Sequence, residues 1–150
     1  VGKISIAEAT ISEGSGYPVP FDVPCRNLIR RALGDVASLT QFGVNLTHLP
    51  PGAWSGQRHW HSAEDEFVWV LDGELVLVTD EGESILRAGD CAGFKAGDAN
   101  GHHLQNRSDK EAVILEMGSR RPDKDVCTYS DIDLVWSQAG GDVHKDGTPY

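Results

Sequence analysis

The sequence predicts an all-β fold, a sandwich or barrel of short strands. Three observations carry that expectation. Strand-length apolar runs recur, with Gly, Asp and Pro turn signals at close intervals between them. Residues 41–49 alternate Phe42, Val44 and Leu46 against Gln41, Asn45 and Thr47, the period-2 pattern of a half-buried strand. Asp72-Gly73 lies between two apolar runs and supplies the φ > 0 residues that a two-residue hairpin turn demands.

In chain order, residues 1–27 carry Pro18, Pro20 and Pro24 with Gly14 and Gly16, the composition of an extended N-terminal arm that would drape over the barrel or a partner. Residues 28–33 are expected to form a strand, as are residues 41–49, which Pro50-Pro51-Gly52 stops. The next apolar run, Phe67 to Leu71, turns back at Asp72-Gly73. Pairing Leu71 with Glu74 puts Glu66, Val68 and Val70 on one face with Leu75, Leu77 and Thr79, and Phe67, Trp69 and Leu71 on the other with Val76 and Val78. Both faces are apolar, so the outward one needs a cover, either the arm or a partner subunit; a homodimer is expected on this ground. Further strands are expected near residues 84–86, 91–94, 102–106 and 111–117, with turns at residues 80–82 and 89–90. Residues 120–150 read as one more strand, 131–136, and a polar tail.

At 150 residues the chain has the bulk of one ordinary domain, taken as 1–150. No apolar run approaches the roughly 20 residues of a membrane span, and the N-terminus does not resemble a signal peptide, so a cytoplasmic home is the default expectation. The three cysteines are odd in number and unclustered, which argues against a disulfide framework or zinc ribbon and for small core residues. A formal net charge of -10, with thirteen scattered Lys and Arg, disfavours nucleic acid and anionic membrane as partners.

The chemistry concentrates in residues 59–73. In an extended chain His59 and His61 point the same way and can share one ion, and Glu66 opens the strand beside them. Glu64 is the rival carboxylate. A fourth candidate lies in Gly97-Asp98-Ala99-Asn100-Gly101-His102-His103, on a strand leaving a Gly-rich turn. His102 shares its face with Leu104 and Asn106, whereas His103 points the other way. Gln57 has the parity of His59 and His61, so it either faces the cavity as a catalytic candidate or makes a strand-start hydrogen bond. Asn106 reads as a turn or supporting residue, Lys95 as a surface lysine or a group reaching for an anionic substrate, and His48 as a surface histidine.

This pattern resembles the cupin superfamily. The first cupin motif, G-x5-H-x-H-x(3,4)-E-x6-G, is matched from His59 through His61 and Glu66 to Gly73; neither Gly52 nor Gly56 sits at the spacing of the leading glycine. The second, G-x5-P-x-G-x2-H-x3-N, is matched at Gly89, Gly97, His102 and Asn106, with Lys95 where proline is usual and four residues rather than two between Gly97 and His102. The resemblance covers roughly residues 40–118, which it identifies as the core, and it prefers His102 because Asn106 follows at the family spacing.

The resemblance implies a jelly-roll β-barrel with one divalent transition metal, such as Zn, Mn, Fe or Ni, held by His59, His61, Glu66 and His102. Open coordination positions on such an ion would suit a small substrate presenting two adjacent oxygens. Three classes follow: a metal-dependent enzyme, isomerase or dioxygenase, on a small oxygenated metabolite; a metal-dependent binding or sensing module; and a structural barrel stabilised by its metal. The absence of an evident Arg or Lys cluster lowers a phosphorylated substrate.

Overall fold

The computed structural model describes residues 2–150, so Val1, at the start of the expected arm, lies outside the described residues. Thirteen strands follow in order: β1 (Ile11–Glu13), β2 (Ile29–Ala32), β3 (Phe42–Leu49), β4 (His59–His61), β5 (Glu66–Asp72), β6 (Glu74–Thr79), β7 (Gly82–Arg87), β8 (Cys91–Phe94), β9 (His103–Gln105), β10 (Ala112–Ser119), β11 (Val126–Tyr129), β12 (Val135–Ser137) and β13 (Gly141–Val143). Among the described residues helix is confined to one turn, α1 (Leu33–Val36), and two 3-10 turns at Ile6–Glu8 and Val23–Cys25. No described helix is long and apolar enough to cross a membrane.

The strands form three antiparallel sheets that together build a jelly-roll barrel: β1-β2-β3-β10-β5-β8, β13-β12-β11-β4 and β7-β6-β9. Period-2 burial fixes which side of each strand faces inward. Val68 and Val70 on β5, Leu75 on β6, Ile114 on β10, Leu49 on β3 and Leu104 on β9 are all at most 4% exposed. Each such side chain contributes roughly 1.5–3 kcal/mol by leaving water. A second, smaller cluster of Cys127, Tyr129 and Leu134 sits under β11.

The register across the large sheet is what later matters for the cavity. One inward row runs Arg30, Thr47, Ile114, Val70 across β2, β3, β10 and β5, and the next runs Ala32, Asn45, Glu116, Val68. The corresponding outward row runs Ile11, Arg31, Leu46, Leu115, Trp69, Cys91 from one edge of the sheet to the other.

Four expectations are corrected. The Asp72-Gly73 hairpin does not form: β5 pairs β10 and β8, while β6 pairs β7 and β9 in another sheet. Gly73 does adopt φ 83°, but as a one-residue corner between sheets, pressed so close to the β10 start that an added Cβ would lie 2.8 Å from Ala112 Cα. The hairpin lies instead at Asp80-Glu81, between Thr79 and Gly82. The arm does not cover Phe67 and Trp69, because β1 extends the opposite edge of the sheet at β2. Phe67, Trp69 and Leu71 are left 40%, 44% and 44% exposed. Residues 131–136 are not one strand: only Val135 and Trp136 of that stretch are in β12, and β11 and β13 were not foreseen. Finally, Cys25 and Cys127 are buried as expected, but Cys91 is exposed, since it shares the outward row of Trp69.

Candidate metal centre

Strand β4 carries the His-Trp-His triplet. It is zipped onto β11 in the register Tyr129 to His59, Thr128 to Trp60 and Cys127 to His61, and His59 also bridges to His102. Both backbone hydrogen bonds of that bridge form, His59 N–H to His102 C=O at 3.1 Å and the reverse at 2.9 Å. Two separate stretches of chain are thereby locked side by side with their imidazoles converging. Glu66, at the start of β5, faces them from the large sheet. Opposite it on β10 stands Gly118, which has no side chain to crowd the carboxylate.

Three imidazole Nε2 atoms meet at one carboxylate oxygen. Glu66 Oε2 lies 2.9 Å from His102 Nε2 and 3.6 Å from both His59 Nε2 and His61 Nε2. The far nitrogens explain the orientation. His59 Nδ1 is 2.7 Å from the Gln57 carbonyl oxygen, an acceptor that keeps a proton on Nδ1 and turns the Nε2 lone pair inward. His61 Nδ1 is 2.6 Å from Asp125 Oδ2, which does the same. The ring of His102 is stacked on Phe94 at a centroid separation of 3.5 Å, and its Nδ1 is buried without a partner.

Protonation follows from these surroundings. Burial alone would raise the Glu66 pKa, but its contacts with His102, His59 and His61 hold it well below the usual carboxylate range. Burial lowers the pKa of His102, keeping that imidazole neutral. His59 is desolvated too, yet the Glu66 carboxylate outweighs this and raises its pKa. A divalent ion requires an ionised carboxylate and neutral imidazoles; Glu66 and His102 are already in that state, and His59, which the carboxylate biases towards imidazolium, would release its Nε2 proton as an ion took that place. The donor set therefore fits a transition metal, and His59, Glu66 and His102 form a group whose ligand atoms all lie within 4.8 Å of one another.

None of the remaining sequence candidates joins the Glu66 cluster, although Glu64 and Lys95 border its cavities. Gln57 is not in the cavity: its side chain donates to the Phe21 carbonyl at 2.7 Å and is 7% exposed, so it ties down the arm while its main-chain oxygen orients His59. His103 points away from the cluster and donates from Nδ1 to the Gly56 carbonyl, 3.0 Å distant. Asn106 is a turn residue, donating to the carbonyls of Leu49 and Lys110. Glu64 accepts from the Arg121 backbone N–H and groups with His61 and Asp125 rather than with Glu66. Lys95 is exposed and borders a second, smaller cavity of about 270 Å³ that His61, Glu66 and His102 also line, whereas His48 pairs with Glu111 away from the cluster.

Sequence reasoning missed three parts of the site. Asp125 carries no motif, and only the β4–β11 pairing brings it to His61. Tyr17, on the arm, packs edge-on against Tyr129 and bonds the Gln57 backbone, so the arm forms part of the cavity wall. The third part is a polar wall of Arg30, Asn45, Thr47 and Glu116, inward-facing in the register given above. With His59, Glu66 and His102, three of these residues, Arg30, Asn45 and Glu116, line a cavity of about 370 Å³.

An antiparallel barrel with an inward cluster of three His and one Glu defines the class: a β-barrel protein with a donor set that fits a mononuclear metal centre, bordering two cavities. The Cupin_2 family model, a cupin domain, matches residues 45–118. A crystal structure described as a sugar phosphate isomerase from a cupin superfamily, from Silicibacter pomeroyi, is 42% identical, with 99% of this chain and 96% of that one covered at a TM-score of 0.93. A putative sugar phosphate isomerase from Acidithiobacillus ferrooxidans is 30% identical over 74% of this chain and 70% of its own, at a TM-score of 0.69. A predicted oxalate decarboxylase from Thermotoga maritima, 19% identical over 80% of this chain and 100% of its own, shares the fold at a TM-score of 0.65. The chain belongs to the cupin superfamily. A comparison with curated proteins gives no match.

Proposed function

We propose that this cupin is a metal-dependent enzyme of isomerase type, acting on a small oxygenated metabolite that chelates a divalent ion held by His59, His61, Glu66 and His102. The observation that carries the reading is the convergence of three Nε2 atoms on one Glu66 oxygen at the cavity wall. Two similar structures described as sugar phosphate isomerases support the isomerase class over the dioxygenase class. A bound ion would act as a Lewis acid, polarising two adjacent substrate oxygens.

The chain's own residues set the conditions for that chemistry. Glu66 reduces the charge of the centre by one and is a ligand rather than a general base. The Gln57 carbonyl and Asp125 hold the protons of His59 and His61 on Nδ1, away from the substrate side. Phe94 covers one face of His102 and keeps water from it.

The whole chain, 1–150, serves as one cupin domain in this reading, in a cytoplasmic homodimer. The dimer rests on the outward row Leu46, Leu115, Trp69 with Phe67 and Phe42 beside it, an apolar sheet face that the arm leaves bare. The exposed free thiol of Cys91 suits a reducing compartment.

The test is calorimetric titration of metal-loaded protein with 2-hydroxy and 2-keto acids, beside mono-oxygenated analogues of equal size. The chelating acids should bind and the analogues should not, and His102→Ala should abolish the difference. Equal binding of both sets would contradict the reading.

A further inference from the structure

The cavity has two ends of different character. One is the His and Glu cluster. The other is the polar wall on the inner face of the large sheet, which the metal reading leaves without a role. Glu116 stands on β10 one inward step from Gly118, the residue opposite Glu66. The wall is therefore a diagonal neighbour of the centre, at roughly 7–8 Å along the sheet. That is the span of a short carbon chain whose first two oxygens sit at the centre.

The hydrogen bonds of the wall are mutual but incomplete. Arg30 Nε donates to Glu116 Oε2 at 2.9 Å, Arg30 Nη2 lies 3.5 Å from Glu116 Oε1, and Thr47 Oγ1 donates to Glu116 Oε2 at 2.6 Å. Among the described residues Arg30 Nη1 and the Asn45 side-chain amide have no protein partner, and Glu116 Oε1 has spare acceptor capacity. Ser15 Oγ, on the same cavity lining, is fully buried with no partner at all. A native interior seldom leaves such a group unsatisfied, and a ligand hydroxyl would satisfy it.

The charges decide what kind of ligand group belongs there. The two cations lining the cavity, Arg30 and Arg120, are each already paired with a carboxylate, Glu116 and Asp35. Glu116 occupies the Nε–Nη2 edge of the Arg30 fork and the Ser55 carbonyl lies 3.4 Å from Nη2 on the other, so neither edge is free to grip a phosphate through two parallel bonds, while Nη1 can still donate singly. A phosphate at this wall would meet a carboxylate and find the positive charge of Arg30 already committed to it. A hydroxyl, which both donates and accepts, would meet a donor in Arg30 or Asn45 and an acceptor in Glu116.

We infer that the Arg30, Asn45 and Glu116 wall selects a substrate whose non-chelating end carries free hydroxyl groups and no phosphate. The inference rests on the proposed chelation at the metal centre, and it names the substrate class as short polyhydroxylated acids or sugars. Glu116 acts as a specificity residue by keeping Arg30 from serving as a phosphate receptor.

The test uses zinc-loaded full-length protein and three probes in calorimetry: erythronate, 2-hydroxybutanoate, which lacks the chain hydroxyls, and 4-phosphoerythronate. Erythronate should bind about tenfold more tightly than 2-hydroxybutanoate, and 4-phosphoerythronate more weakly than erythronate. Asn45→Ala should weaken erythronate and leave 2-hydroxybutanoate unchanged. Glu116→Gln should free the Arg30 fork and strengthen 4-phosphoerythronate by about tenfold, a gain that general damage to the barrel would not produce. Equal affinity for erythronate and 2-hydroxybutanoate in the wild type, or tightest binding of 4-phosphoerythronate, would overturn the inference while leaving chelation intact. Failure of all three to bind the zinc-loaded protein would overturn chelation and the wall's role together.

Discussion

Replacing Asp125 with Asn should weaken metal binding by about 10–100-fold, although Asp125 is not itself one of the four proposed ligands. The residue is 2% exposed, and its carboxylate accepts from His61 Nδ1–H at 2.6 Å and the Ala63 backbone N–H at 2.8 Å, with the Ser62 hydroxyl a longer third donor at 3.5 Å. An asparagine has only one accepting atom on its amide. Whichever way it is turned, its NH2 group faces a donor, either the His61 ring or the Ala63 N–H. An unmatched buried donor costs about 1–3 kcal/mol, and the expected affinity loss corresponds to about 1.4–2.7 kcal/mol, so the two routes agree. The assay is competition for zinc against a chromophoric chelator. Asp133→Asn is the matched control, because Asp133 makes the same pair of contacts, to His144 Nδ1 at 2.9 Å and to the Lys145 N–H at 2.8 Å, away from the cluster. Zinc affinity within twofold of wild type in Asp125→Asn, or an equal loss in Asp133→Asn, would refute the reasoning.

Three further outcomes are expected. Of the three thiols only Cys91 should react with a thiol reagent in the native protein, because burial pushes Cys25 and Cys127 up to about 12. Since that folded value lies above the ordinary value of 9.0, these groups contribute stability that is fully present below pH 9.0 and lost as pH rises towards 12, which chemical denaturation at a series of alkaline pH values will show. Gly73→Ala should cost at least about 2 kcal/mol in urea unfolding, because its Cβ would meet Ala112 Cα at 2.8 Å and the Glu111 carbonyl oxygen at 2.9 Å; Gly82→Ala, which meets nothing within 4 Å, should cost only its backbone strain of about 1 kcal/mol. Trp69→Lys should convert a dimer to a monomer in sedimentation velocity without lowering zinc affinity; a wild-type monomer at micromolar concentration would remove the dimer from the account.

What could be read from the sequence was what depends on local periodicity. The alternation over β5 put Val68 and Val70 on one face and Phe67 and Trp69 on the other, and the burial agrees; over β3 the same rule misleads, because Asn45 and Thr47 face inward while Leu46 lies on the outward face and Phe42 is 45% exposed. The same alternation placed His59 and His61 on one side of β4 and separated His102 from His103. What was not legible depends on pairing between distant segments. Asp72-Gly73 has the chemistry of a hairpin, yet β5 finds more partner in the eight-residue β10 than in β6, and Gly73 serves the corner instead. Asp125 looks like any acid in a polar stretch until β11 aligns with β4, and Gln57 has the right parity but is captured by the Phe21 carbonyl of the arm. Arg30 and Glu116 are 86 residues apart, and only the shared register through β3 makes them neighbours.

The central claim is that His59, His61, Glu66 and His102 hold one ion, and metal content tests it most directly. Protein purified without an affinity tag, under oxygen-free conditions, should carry about one equivalent of a divalent transition metal per chain. His61→Ala should lose that metal while the barrel remains folded by circular dichroism, and His103→Ala, whose ring faces Gly56, should retain it. Loss of the metal in His103→Ala with retention in His102→Ala, or full occupancy in His61→Ala, would contradict the account.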